Sequence, residues 1–174
     1  NCKKSKLEID KIKWKCVLKK KYLNSNLGCR FAVSKGISWF FKNETKGIIL
    51  EDDCIPSKYF FEFCEWSLKK FKNNKKIGTV TGNNFLRSKI NIKSSFYFSK
   101  YAHCWGWATW KDRWNLYNKN IGFWNKWKNT TAFDQLFNNK NEKKYWIKIF
   151  NMVSKNQIDS WAYPWNLCLW HKKK

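Results

Sequence analysis

The stretch that most constrains this chain is Gly47-Ile48-Ile49-Leu50-Glu51-Asp52-Asp53-Cys54-Ile55-Pro56. An apolar run stops in three consecutive carboxylates and is closed by a proline. The chain holds 36 Lys+Arg against 12 Asp+Glu, so a quarter of its acids sit in this one triplet. Neighbouring like charges repel, and a cluster of them at a strand end is unfavourable unless something cationic offsets it. A divalent metal held by oxygen ligands is the simplest candidate, and it usually keeps positions open for a phosphate-bearing substrate. The expectation is an enzyme working on a nucleotide or a sugar nucleotide.

Size and composition narrow this further. The 174 residues fit one domain with a real core. Aromatics reach 20%, with 13 Trp, enough to fill a core and also to line a groove for a sugar or a base. No run of about 18 apolar residues predicts a membrane span, and the polar start from Asn1 to Asp10 does not read as a signal peptide. A net charge of +24 raises the question of nucleic acid. Lysines are scattered through every segment, however, and Asn, Lys and Ile are abundant together, as in proteins translated from AT-rich genes. Compositional bias and a solvated surface are the stronger reading. Attraction to anionic membranes, anionic glycans or nucleic acid stays open, and a basic surface suits an anionic nucleotide. Seven cysteines without regular spacing suggest reduced thiols in a cytosolic protein rather than zinc.

Along the chain, Trp14 to Leu18 reads as a short strand. Asn24-Ser25-Asn26 offers a cap to a helix running to Phe41, and Gly47 to Leu50 is a buried strand. Pro56-Ser57 opens a helix with Phe60, Phe61, Cys64, Leu68 and Phe71 at three- and four-residue spacing. Ile77 to Thr81 is another strand, stopped by Gly82-Asn83-Asn84. Alternating strand and helix predict an α/β fold with right-handed crossovers and a mainly parallel sheet. Ligands gather at the carboxyl ends of such strands, where Glu51-Asp52-Asp53 and Gly82-Asn83-Asn84 would share a site. Further on, Phe96-Tyr97-Phe98 reads as a strand. The stretch from Tyr101 to Trp114 is aromatic-rich around Gly106, and helices are predicted at about 132–138, 143–154 and 160–170.

Three motifs bear on chemistry. In the first, Asp53 is the expected metal ligand, with Glu51 and Asp52 touching ribose, sugar or metal-bound water. The bland alternative is an acidic cluster at a helix N-terminus, near Ser57. The second is His103-Cys104-Trp105-Gly106-Trp107-Ala108-Thr109-Trp110, where Gly106 permits close backbone approach and Trp105 and Trp107 present flat faces. An aromatic core segment explains it as well, and His103 alone reads equally as structural. The third is Ile158-Asp159-Ser160-Trp161-Ala162-Tyr163-Pro164-Trp165. Burial near Trp161 would make Asp159 a useful general base; alternatively Asp159 or Ser160 caps the last helix.

Taken together, these blocks resemble the GT-A nucleotide-diphospho-sugar transferases. The likeness is closest to bacterial glycosyltransferase-like proteins labelled hemolytic-protein-like, and more distant to N-acetylglucosaminyltransferase I. It rests on Asn26-Leu27-Gly28-Cys29, Gly36-Ile37-Ser38-Trp39-Phe40-Phe41, Gly47 through Pro56, Gly82-Asn83-Asn84-Phe85, Trp105 through Trp110 and Asp159-Ser160-Trp161. The resemblance implies a GT-A, Rossmann-like, mainly parallel sheet with helices on both faces, in one domain spanning 1–174. Such folds begin with a nucleotide-gripping strand and end in a further segment, so the chain reads as a fragment lacking both. By the same resemblance Asp53 binds Mn²⁺ or Mg²⁺, which holds the donor diphosphate. Gly28, Arg30, Glu51, Asp52, Asn83, Trp105, Gly106 and Trp107 then surround the donor, and Asp159 stands where the base would be.

The function expected is transfer of a sugar, with inversion, from a nucleoside-diphosphate donor such as a UDP-sugar to a glycan or lipid-linked acceptor. Bacterial surface glycan synthesis at the cytoplasmic side of the membrane is the setting implied, with peripheral contact to anionic lipid and no specific nucleic-acid partner. Three rivals stay open. They are a metal-dependent phosphoryl-transfer enzyme or nuclease, a non-catalytic basic binding module, and a degenerate transferase fragment.

Overall fold

The computed structural model describes residues 2–85 and 94–174. Helix α1 (Cys2–Asp10) and an exposed irregular stretch lead to α2 (Gly28–Asn43), which opens on Gly28 and buries Arg30, Ser34, Ile37 and Phe41 at helical spacing. Strand β1 (Lys46–Ile49) follows, then α3 (Phe60–Lys70) and β2 (Val80–Thr81). After residues 94–106, β3 (Trp107–Trp110) runs directly into the single turn α4 (Lys111–Trp114). The remainder is helical: α5 (Trp124–Trp127), α6 (Thr131–Asp134), α7 (Lys140–Ser154) and α8 (Ala162–His171).

The sheet overturns the expected fold class. It has three strands in the order β1-β3-β2, and both pairings are antiparallel. Lys46 pairs with Trp110 and Ile49 with Trp107 on one side of β3; Val80 pairs with Ala108 and Thr81 with Trp107 on the other. The described residues therefore form a small helix-rich domain on a three-stranded antiparallel sheet, not a GT-A, Rossmann-like, mainly parallel sheet. The cause is β3. Its four residues are all buried and show no polar alternation, so the segment reads in sequence as an aromatic block without a strand signal. β1 and β2 do point the same way, because each is antiparallel to β3, but β3 lies between them and takes up their ladder hydrogen bonds.

Two other expected strands are absent. The stretch from Trp14 to Leu18 is irregular and leaves Trp14 and Val17 exposed. Phe96-Tyr97-Phe98 is also irregular; Phe96 and Phe98 pack edge-to-face on Phe71 instead of entering a ladder.

Alternate residues of β3 serve two clusters, as strand geometry requires. Trp107 packs with Ile37, Phe41, Trp114, Trp161, Trp165 and Leu169, while Ala108 and Trp110 pack with Phe60, Cys64, Leu68 and Val80. A third cluster joins α5 and α6 to α7 and α8 through Trp124, Phe133, Phe150 and Trp170. Within the first, the Trp107 and Trp161 rings stack at 5.3 Å and 22°. Each such ring buries about 150–250 Å². At about 25 cal/mol per Å², these indoles dominate the apolar stabilisation that fixes the sheet end.

Candidate functional site at the carboxylate end of the sheet

Ile49 and Thr81 both pair with Trp107, so the chain leaving β1, the chain leaving β2 and the chain entering β3 meet at one end of the sheet. Leaving β1, residues 51–54 turn back on themselves, the Cys54 N–H donating to the Glu51 carbonyl at 3.1 Å. Leaving β2, the Gly82 N–H donates to the Gly106 carbonyl at 2.9 Å. The glycines are required here. Gly106 has φ +70, and a Cβ on it would sit 3.2 Å from the Phe60 ring; on Gly82 it would come within 2.7 Å of the same ring.

Glu51 is the anchored member of the acidic triplet. It is half-buried and its Oε1 accepts the indole N–H of Trp161 at 3.3 Å. Burial pushes its carboxyl above the usual glutamate range, and the neighbouring Asp53 and Asp52 charges push the same way against the Trp161 hydrogen bond. Asp52 and Asp53 are exposed, and the Cys54 thiol reaches Asp53 Oδ1 at 3.6 Å. Among the described residues no Lys or Arg forms an ion pair with Glu51, Asp52, Asp53 or Asp159. Yet Glu8, Asp10, Glu44, Asp112, Asp134 and Glu142 are all paired. Among the described residues Glu62 and Glu65, on α3, are unpaired as well, but they stand apart along a helix, whereas Glu51, Asp52 and Asp53 are consecutive and have no ion-pair partner.

Two thiols sit in its field. Cys104 is pushed up to about 11, chiefly by burial and then by Glu51. Cys29 is raised by burial, then by Glu51 and by Asp159, which brings the start of α2 and Asp159 to the Glu51 side of the site.

The other expected site residues divide. Asp159 is exposed, and both of its oxygens are taken by the first turn of α2: Cys29 N–H donates to Oδ2 at 2.8 Å and Arg30 N–H to Oδ1 at 3.0 Å. It caps α2, from 130 residues away in sequence, while the last helix takes the other expected cap, Ser160, whose Oγ accepts the Ala162 N–H at 3.2 Å. Gly28 makes room for it, with φ +71 and a position where a Cβ would lie 2.5 Å from Asp159 Oδ2. Arg30 does not face the carboxylates. The residue is 2% exposed, and its guanidinium donates to Asn156 Oδ1 at 2.9 Å and to the Lys119 carbonyl.

Asn83 is fixed at the end of β2 by contacts with the Thr81 hydroxyl at 3.2 and 3.3 Å. Trp105 is 57% exposed beside Phe85, and Gly106 lies at the joint described above. Trp107 is fully buried and belongs to the core, as the aromatic-core reading has it. His103 is half-buried against Phe85 at 4.6 Å, and burial lowers its proton affinity.

Sequence reasoning missed the direct link from Trp161 to Glu51. No spacing rule connects residues 51 and 161; the only available signal was that Trp161 closes a motif already singled out.

The donor set suits a hard divalent cation. Asp52 and Asp53 offer exposed carboxylate oxygens that no Lys or Arg pairs with among the described residues, the ligand type that Mn²⁺ and Mg²⁺ prefer. Among the described residues no three His, Cys, Asp or Glu side chains converge as a ready-made metal site. That is compatible with an ion held by one or two carboxylates together with substrate phosphates and water. No family model, curated protein or solved structure matches this chain. Among the described residues no helix is long and apolar enough to cross a membrane.

Proposed function

We propose that the chain carries the catalytic end of a metal-dependent glycosyltransferase, moving a sugar from a nucleoside-diphosphate donor to an acceptor hydroxyl with inversion. The observation that carries this reading is the acidic triplet, unpaired in a strongly basic chain and gathered with the Gly106 loop and Trp161 at one end of the sheet. The motif order supports it, although the antiparallel sheet is not the Rossmann-like one that usually accompanies those motifs.

Asp53, with Asp52 beside it, would hold Mn²⁺ or Mg²⁺. When bound, that ion supplies charge neutralisation for a diphosphate leaving group. The chain's net charge of +24 would raise the local concentration of an anionic donor. Trp105 and the Gly106 backbone bound the space where a donor sugar would lie. Glu51, half-buried beside the metal carboxylates and held in place by the Trp161 indole, would be the proton acceptor. In the transfer the acceptor O–H proton passes to a carboxylate and the acceptor oxygen bonds to the anomeric carbon. The bond from that carbon to the diphosphate breaks, its electron pair leaving on the nucleoside diphosphate. Asp159 holds the first turn of α2 against this site. The setting that fits is the cytoplasmic face of a membrane, with a glycan or lipid-linked acceptor.

UDP release from a panel of UDP-sugars, measured with and without Mn²⁺, tests the reading. Metal-dependent release that disappears in Asp53→Ala supports it. Release that is equal in the variant, or independent of metal, removes it.

A further inference from the structure

A cleft of ≈ 640 Å³ runs along the free edge of β2, between α3 and the irregular segment 94–103. That is within the range of about 300–1,000 Å³ usual for small-molecule sites. Its walls are aromatic, with Tyr59, Phe63, Phe71 and Phe98 among them, and its polar lining includes Ser57, Asn83 and three lysines, Lys76, Lys174 and a Lys100 already engaged by Glu142. No Asp or Glu lines it among the described residues.

Ser67, on α3, lines this cleft and is 1% exposed, yet among the described residues its hydroxyl has no hydrogen-bond partner. Ser34 shows the ordinary solution for a buried helical serine: its Oγ donates to the Arg30 carbonyl one turn back at 2.6 Å. An orphaned buried hydroxyl costs about 1–3 kcal/mol, a cost removed when a partner arrives from outside.

The cleft lies next to the carboxylate end. It reaches Asn83 and His103, and Phe60 lines it while also packing under Gly82 and Gly106. Cys104, the residue after His103, lies in the field of Glu51 and Asp53. The loop 103–106 thus touches both, His103 lining the cleft and Cys104 lying in the field of the triplet.

We propose that this cleft binds the acceptor through a pyranose ring, whose C–H face lies on the aromatic walls while its hydroxyls meet Ser67 Oγ and the Asn83 amide. Rings for an apolar face, neutral polar groups for hydroxyl edges and a floor donor awaiting a partner suit a sugar. An alkyl chain would leave Ser67 orphaned, and the aromatic walls that suit a pyranose face have no counterpart in a diphosphate. The acceptor role rests on the glycosyltransferase reading; the sugar site itself does not.

The test uses methyl glycosides of glucose, galactose, mannose and N-acetylglucosamine as probes, read by saturation-transfer NMR and titration on wild type, Ser67→Ala and Tyr59→Ala. At least one glycoside is expected to bind through its ring protons, with affinity about 5–10-fold weaker in Ser67→Ala, equivalent to one net hydrogen bond. Ser67→Ala should unfold at the same temperature as wild type or higher, which a serine needed for folding would not do. Tyr59→Ala should also weaken binding. No binding by any of the four, or affinity unchanged in both variants, overturns the proposal. UDP titration in Mn²⁺ on the same samples separates the two readings. Intact UDP binding without sugar binding sinks the cleft alone, whereas sugar binding without UDP binding sinks the transferase and leaves the cleft a glycan site.

Discussion

Trp161 donates its indole N–H to Glu51 Oε1 at 3.3 Å, while its ring stacks on Trp107 at 5.3 Å. One side chain thus ties the acidic triplet to the centre of the tryptophan core, so the position of Glu51 is set by packing more than by its own loop. Trp161→Phe keeps much of the ring and removes the donor. The expected cost is about 1–3 kcal/mol in denaturant unfolding, because a half-buried carboxylate loses its partner. In a double-mutant cycle with Glu51→Leu, whose side chain cannot accept the indole N–H, the coupling should be about 0.5–1.5 kcal/mol, and a value near zero would mean that the hydrogen bond contributes nothing.

Glu51 also gives the protein a pH signature. Its folded-state proton affinity is raised, mainly by burial, so between the ordinary glutamate range and the raised value the native state binds more protons than the unfolded chain. Stability from this group is full at low pH and declines as pH rises through the raised value. Glu51→Gln should therefore raise Tm at neutral pH, and the gain should fade below roughly pH 4, where both states hold the proton. Melting curves of the two proteins between acidic and neutral pH check the sign. The same variant is expected to lose sugar transfer, so a stabilised but inactive protein is the combined outcome.

Asp159 and Gly28 form a second coupled pair. Asp159→Ala removes the acceptor of two N–H groups at the start of α2 and should cost about 0.5–2 kcal/mol, as for other helix caps. Gly28→Ala meets both a left-handed backbone and the Asp159 carboxylate, and should cost more than about 1 kcal/mol. UDP affinity in Mn²⁺ should survive Asp159→Asn. If Asp159→Asn folds with unchanged stability yet abolishes transfer, the proton acceptor is Asp159 and not Glu51.

Arg30 makes the opposite case to the acidic triplet. Its buried guanidinium holds α2 to Asn156 and the Lys119 carbonyl, so Arg30→Met should lose about 2–4 kcal/mol of stability. Donor affinity, measured where the variant remains folded, should not change. A weakened donor affinity at unchanged stability would return Arg30 to the donor site.

What the sequence made legible were the elements with a clean period. The helical spacing of Phe60, Cys64 and Leu68 marked α3, and the apolar run to Ile49 marked β1, each to within a few residues. The shared end for Glu51 and Gly82 was legible too, because it needs only that β1 and β2 point the same way. The partner between them was not. Trp107 to Trp110 is buried on both faces, so it lacks the alternation by which an antiparallel strand is recognised, and the sheet was read as parallel. The contacts that shape the site, Trp161 with Glu51 and Asp159 with the start of α2, span more than 100 residues each and leave no local pattern. Ser67 was invisible for another reason: a serine on a helix says nothing about whether its hydroxyl is satisfied.

The central claim is that the unpaired triplet is a metal-dependent donor site, and calorimetric titration of UDP into wild type and Asp53→Ala, with and without Mn²⁺, tests it most directly. The expected result is UDP binding that requires Mn²⁺ and is lost, by tenfold or more, on about 1.4 kcal/mol of missing interaction, in a variant that remains folded. UDP binding that ignores Mn²⁺ and Asp53 alike, or no binding by the wild type under either condition, would contradict it.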